Sequence, residues 1–160
     1  MPKHSHWKCV DKMTDIVINR IQKCTNLLPE DIENSTVIHV RLCDVVGGDM
    51  WHEQLKRPLD IDYLKRVIPP NQKIYIIGKC FFAQPSSTNY DECIHLSNKY
   101  LESALKELNA SHFDGGDADI DLCCAVKSKC FIQGRGFFSS LIVDIRKKLD
   151  KECIETATHL

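Results

Sequence analysis

The sequence predicts an α/β domain: an open parallel sheet of three or four strands with helices on both faces. Three observations lead there. Short runs rich in β-branched residues alternate with longer stretches whose apolar residues recur at helical spacing. Strands separated by helices require crossover connections, which give a parallel sheet of one hand. One run, Ile74-Tyr75-Ile76-Ile77, is apolar throughout, as a strand covered on both faces must be.

Each element has its own signal. Residues 11 to 28 read as a helix, because Ile16, Val17, Arg20, Ile21 and Cys24 share a stripe and Pro29 closes the segment. Thr36 to Leu42 is β-rich and reads as the first strand. Asp60 or Ile61 opens a short helix through Ile68, stopped by Pro69-Pro70. Lys73 to Gly78 is the second strand. Asp91 to Leu108 is the best-patterned helix, with Ile94, Ser97, Leu101, Ala104 and Leu108 on one face and Glu102 placed to pair with Lys106. Ala118 to Val126 reads as a short apolar helix, Lys129 to Gln133 as a third strand, and Phe137 to Leu149 as a closing helix. The expected organisation is one domain over residues 1–160. It comprises an N-terminal helical segment (1–34), an α/β core (35–149) and a polar tail (150–160).

Composition narrows the class. In 160 residues, 43% are hydrophobic and 27% charged, so the chain can fill a core and is not of the disordered kind. The net charge of −1 argues against a nucleic-acid partner. No stretch reaches the roughly 20 apolar residues of a membrane span, and the first nine residues lack a signal-peptide pattern. Nine cysteines occur without C-x-x-C or any repeated spacing. Several lie inside apolar runs, so they read as reduced, buried thiols, and the expected location is cytoplasmic.

The chemistry-bearing residues cluster after the strands. His39 and Arg41 stand two apart at the end of the first strand and so share a side. Arg41 can fork onto phosphate oxygens, and Asp44 can orient it. A structural Arg–Asp pair beside a core histidine explains the same residues. Gly134 to Ser140 (Gly-Arg-Gly-Phe-Phe-Ser-Ser) joins the third strand to the closing helix, where free N–H groups and the hydroxyls of Ser139 and Ser140 can meet an anion. The plain alternative is an ordinary turn with a serine cap. Gly78-Lys79 follows the second strand, where backbone can approach a ligand. Among Asp114, Asp117, Asp119 and Asp121, the last adjoins an apolar run and is the one expected to point inward. Trp51 and His52 are candidates for stacking on a ring. His4, His6 and Cys9 could bind a metal, but a frayed terminus is the plainer reading.

Taken together, the pieces resemble the α-1,2/α-1,6/O-fucosyltransferase superfamily. His39-Val40-Arg41-Leu42-Cys43-Asp44 looks like its H-x-R-x-G-D motif, with Cys43 at the glycine position. Arg57 to Leu64 is similar to the Leu-Ser-x-x-Tyr-Tyr helix start that follows the motif. Ile74 to Ile77 falls where the family has its next strand. Asp121 through Ser140 resembles its late block: an Asp-led helix, a strand and a Phe-Ser-Ser turn. The match covers roughly residues 35 to 148. It implies the Rossmann-like, carboxyl-terminal, donor-binding half of a GT-B glycosyltransferase. By that resemblance Arg41 would hold the pyrophosphate of a GDP-sugar such as GDP-fucose, with His39 beside the sugar phosphate and Asp44 completing the motif. Asp121 would meet the nucleoside, Ser139 and Ser140 would contact phosphate, and Gly78 and Phe138 would also bind substrate. No metal and no cofactor beyond the donor is expected.

Three functional expectations follow. The first is a glycosyltransferase that moves a sugar from the nucleotide to a hydroxyl of a glycan or other acceptor. Nothing before residue 35 can supply an acceptor half, so the chain would be a stand-alone minimal transferase, a subunit needing a second protein subunit for the acceptor site, or a degenerate nucleotide-sugar binder. The second is a non-catalytic nucleotide-sugar-binding module or subunit of a larger transferase. The third is an unrelated phosphatase-like or redox enzyme, against which the absence of C-x5-R and C-x-x-C counts.

Overall fold

The computed structural model describes residues 4–43, 45–46, 58–81 and 89–156. In chain order the elements are α1 (His4–Cys24), β1 (Thr36–His39), β2 (Leu42–Cys43), α2 (Ile61–Val67), β3 (Ile74–Ile77), β4 (Cys80–Phe81), α3 (Tyr90–Glu107), β5 (Ser111–His112), α4 (Ala118–Lys127), β6 (Cys130–Ile132), α5 (Phe137–Lys148) and β7 (Cys153–Ile154). Short 3-10 turns at Thr25–Leu27 and Ile32–Asn34 lead from α1 into β1.

β1 is the centre of a five-stranded, all-parallel sheet of order β5-β3-β1-β6-β7. Ranked by chain order these strands run 3-2-1-4-5, the order of a doubly wound, Rossmann-like sheet. The expected three or four strands are therefore five. The added pair are β5 and β7, each two residues long. β7 lies inside the segment expected to be a polar tail. It is recruited by backbone bonding: Phe131 N–H donates to Glu152 O at 3.4 Å and Gln133 N–H to Ile154 O at 2.9 Å. The first strand is also shorter than expected. It ends at His39, and Leu42–Cys43 turns away to pair in parallel with Cys80–Phe81 as a separate two-stranded sheet.

Alternation along the strands builds two cores. Val37, Tyr75, Ile77 and Phe131 face α1, α4 and α5, where they meet Val17, Ile120, Cys124, Ile142 and Ile145. Ile38, Ile74, Ile76 and Ile132 face α2 and α3, where they meet Leu64, Ala104 and Leu108. The sheet is thus covered on both faces, as its apolar strands require. α2, α3 and α4 each begin on a capping side chain: Asp60, Asn89 and Asp117 accept from the N–H of Asp62, Glu92 and Asp119 at 3.1, 3.2 and 2.7 Å. Each cap stabilises its helix by about 1 kcal/mol. α5 starts on Gly136 with no side-chain cap.

Arg146, wholly buried, holds the carboxyl end of α4 to the start of β7. Its guanidinium donates to the carbonyls of Ala125, Val126, Ser128, Lys129 and Glu152 and to Ser128 Oγ, at 2.6 to 3.1 Å. Carbonyls at a helix end carry the negative pole of its dipole, which is where a cation gains most.

The cysteines divide. Cys24, Cys123, Cys124 and Cys130 are buried thiols. Burial pushes Cys123 and Cys130 up to about 11 and Cys124 higher still, so they stay protonated. Cys43 and Cys80, by contrast, are joined across the two-stranded sheet with Cα atoms 4.9 Å apart. The expectation of uniformly reduced thiols fails at this pair, because β2 and β4 bring the two side chains together. No helix among the described residues is long and apolar enough to cross a membrane.

Candidate functional site

The crossover after β1 runs over one face of the sheet and the helix after β6 over the other. Their strand ends therefore diverge, and a crevice opens at their carboxyl ends, the usual ligand position in such sheets. A cavity of about 530 Å³ fills this position. His39, Val40 and Arg41 enter it from β1, and Gly78, Lys79 and Cys80 from β3. Ala118 and Asp121 come from α4, and Arg135 to Phe138 from the turn between β6 and α5.

The structure thus brings together His39, Arg41, Gly78, Asp121 and Phe138, five of the residues singled out in the sequence. Asp44, Gly47, Gly48, Trp51 and His52 lie outside the described residues, as do the side chains of His4, His6 and Cys9. Ser139 and Ser140 are not among the lining residues. Ser139 Oγ, wholly buried, accepts from Gly134 N–H at 2.7 Å, and Ser140 Oγ donates to Gly136 O at 3.4 Å. The Ser139 hydroxyl braces the turn from within, whereas that of exposed Ser140 bonds at its surface.

His39 is 7% exposed, and its ring leans on Phe138 at 5.3 Å between centroids. Burial, helped by the charge of Arg41, pushes its pKa down to about 4. The imidazole is therefore neutral at pH 7, a hydrogen-bonding group and a weak base. Its Nδ1 is buried without a partner. A buried polar atom left so costs about 1–3 kcal/mol.

Arg41 and the start of α5 are in close apposition: a Cβ on Gly136 would come 2.7 Å from Arg41 Nη1. Gly136 has φ +92°. Glycine at this position keeps the approach open, and no side chain caps the helix start beside the guanidinium. Gly78, at φ +137°, closes against Val40 O so tightly that any side chain would collide there. Lys79 pairs with Asp114 at 2.6 Å. Asp121, 5% exposed, accepts from Gly115 N–H at 2.9 Å. Burial raises its pKa, opposed by that bond and by Lys79.

Arg135, Lys79 and Phe137 complete the wall; the sequence points to them only as members of the Gly78-Lys79 and Gly134 to Ser140 segments. The signal for Arg135 was its place inside a Gly-x-Gly strand-to-helix turn. Phe137 is 94% exposed at the mouth, an apolar ring in solvent where a core residue would be hidden. Arg41, Lys79 and Arg135 line the cavity with one carboxylate, Asp121, among the described lining residues, and Lys79 is already paired with Asp114. Among the described residues no cluster of three or more His, Cys, Asp or Glu could hold a metal ion. In comparisons with known proteins, no family model, curated protein or solved structure matches the chain.

Proposed function

We propose that the cavity binds the diphosphate of a nucleotide sugar, with GDP-fucose or a related GDP-sugar as the first candidate. Transfer of the sugar to an acceptor hydroxyl is the reaction class. The observation that carries the reading is the meeting of Arg41 with the uncapped start of α5 at the crevice between β1 and β6. Guanidinium and helix N–H groups together match the oxygens of a diphosphate and neutralise it without a metal. The motif resemblance supplies the rest. His39 lies beside the sugar phosphate as a neutral hydrogen-bonding group, and Asp121 at the far wall accepts from the nucleoside. The architecture is then that of the donor-binding half of a GT-B enzyme.

A second reading, donor binding without transfer, is favoured by the lining itself. Transfer to a hydroxyl requires a base placed against it. His39 is a weak base, and Asp121, the one carboxylate among the described lining residues, is tied to Gly115 N–H.

Isothermal titration of the chain with GDP, against ADP and UDP and with and without EDTA, tests both. The expected result is GDP-selective binding that EDTA leaves unchanged. Absence of binding by all three nucleotides would overturn the proposal. Given binding, release of free sugar or its transfer from GDP-fucose separates the first reading from the second. Arg41→Ala should weaken GDP by about 2–4 kcal/mol through loss of a charge-assisted contact.

A further inference from the structure

Cys43 adopts the left-handed backbone region, φ 63°. A residue with a Cβ is held there at a cost of about 1–2 kcal/mol, so the surroundings must hold it in place. Two contacts do. Its N–H donates to Ser97 Oγ on α3 at 2.8 Å, and its sulfur meets that of Cys80. The two strands are in register, Leu42 opposite Cys80 and Cys43 opposite Phe81.

The pair occupies a commanding position. Cys80 directly follows Lys79 and itself lines the cavity, and Cys43 stands two residues after Arg41. A bond between them ties the loop leaving β1 to the loop leaving β3, so two of the cavity's cations are held from one link. The sulfurs are also unequal. Cys43 is wholly buried, whereas Cys80 is exposed. An exchanging thiol reaches the Cys80 sulfur, and Cys43 waits behind it as the resolving group.

From this geometry we infer that Cys43 and Cys80 form a thiol–disulfide switch that sets how tightly the cavity holds an anion. The inference rests on the anion-binding reading above, and the cysteines act as positioning residues. Closure is an exchange with a small-molecule disulfide, RSSR. The Cys80 thiolate attacks one sulfur of RSSR, which forms a mixed disulfide and expels RS⁻. The Cys43 thiolate then attacks the Cys80 sulfur and expels a second RS⁻. Two protein thiols are oxidised, one RSSR is reduced, and the two thiol protons end on the two RSH products. Excess thiol runs the same steps backward.

The test equilibrates the full chain in reduced-to-oxidised glutathione mixtures. The pairing is read by alkylation and peptide mass, and inorganic pyrophosphate is titrated at each ratio. The expected result is a Cys43–Cys80 disulfide that forms and opens reversibly, with roughly 10-fold tighter pyrophosphate binding when closed, because preorganised groups lose less on binding. Cys43→Gly, which suits the left-handed backbone, should bind like the reduced chain at every ratio. A pair that never forms, or that millimolar thiol cannot open in the folded chain, overturns the switch. So does equal pyrophosphate affinity in both states, which leaves the anion site standing. Loss of pyrophosphate binding in both states overturns the anion reading and the switch with it.

Discussion

Arg41 and Gly136 are partners in which one residue is defined by what the other lacks. Nη1 of Arg41 occupies the space beside Gly136 where a methyl group would intrude, 2.7 Å from an added Cβ. Gly136→Ala therefore pushes the guanidinium off the start of α5 and strains a backbone at φ +92°. Pyrophosphate affinity should drop toward that of Arg41→Ala, and folding stability should fall by about 1–3 kcal/mol. Calorimetric titration and urea unfolding measure the two effects separately.

Arg146→Met keeps the length of the side chain and removes its donors. Five carbonyls and one hydroxyl then lose the guanidinium as a donor. Chemical denaturation should show a loss of about 3 kcal/mol or more, the scale of breaking a buried charged network.

Stability should depend on pH through His39. An unfolded histidine takes its proton near pH 6.5, whereas folded His39 refuses it until about 4. Between those values the unfolded chain binds more protons. Stability is thus fully present above about 6.5 and falls as the pH drops toward 4, by about 3 kcal/mol in all. Asp121, raised by its own burial, works in the opposite sense from 3.8 upward. Urea midpoints at pH 7 and 4.5 should therefore be compared between the parent chain and His39→Gln, in which this slope disappears.

Phe137→Ala offers a check on where a nucleoside ring rests. The side chain is 94% exposed, so its removal should change stability by less than about 0.5 kcal/mol. If the ring stacks a base at the cavity mouth, GDP affinity falls by about 1–3 kcal/mol while pyrophosphate, which has no ring, is unaffected. An equal loss for both ligands would place the nucleoside elsewhere.

The alternation of elements was legible because the helices and central strands carry strong patterns. α3 was expected over 91–108 and spans Tyr90–Glu107. The two edge strands were not, because Ser111–His112 is exposed and Cys153–Ile154 is only half-buried. Neither needs the apolar run that marks a buried strand. The break after His39 was hidden for the opposite reason: Val40 and Leu42 are as buried as β1 itself, so hydropathy continues where the backbone turns away. At the site, the turn chemistry of Gly-Arg-Gly located the crevice wall, but which side chains face inward depends on backbone direction. Ser139 and Ser140 show the difference, with hydroxyls spent on the turn. The Cys43–Cys80 pair joins residues 37 apart, and nothing in their spacing announces it.

The two-residue outer strands also bear on how the molecule behaves in a crowded solution. A sheet ends in unpaired N–H and C=O groups that can template a neighbour's strand, and the hazard grows with the length and flatness of the border. β5 and β7 each present only two residues of such border. A stray chain would find too few rungs to climb, so the apolar inner strands β1, β3 and β6 stay sequestered inside a sheet that resists growing into a fibril.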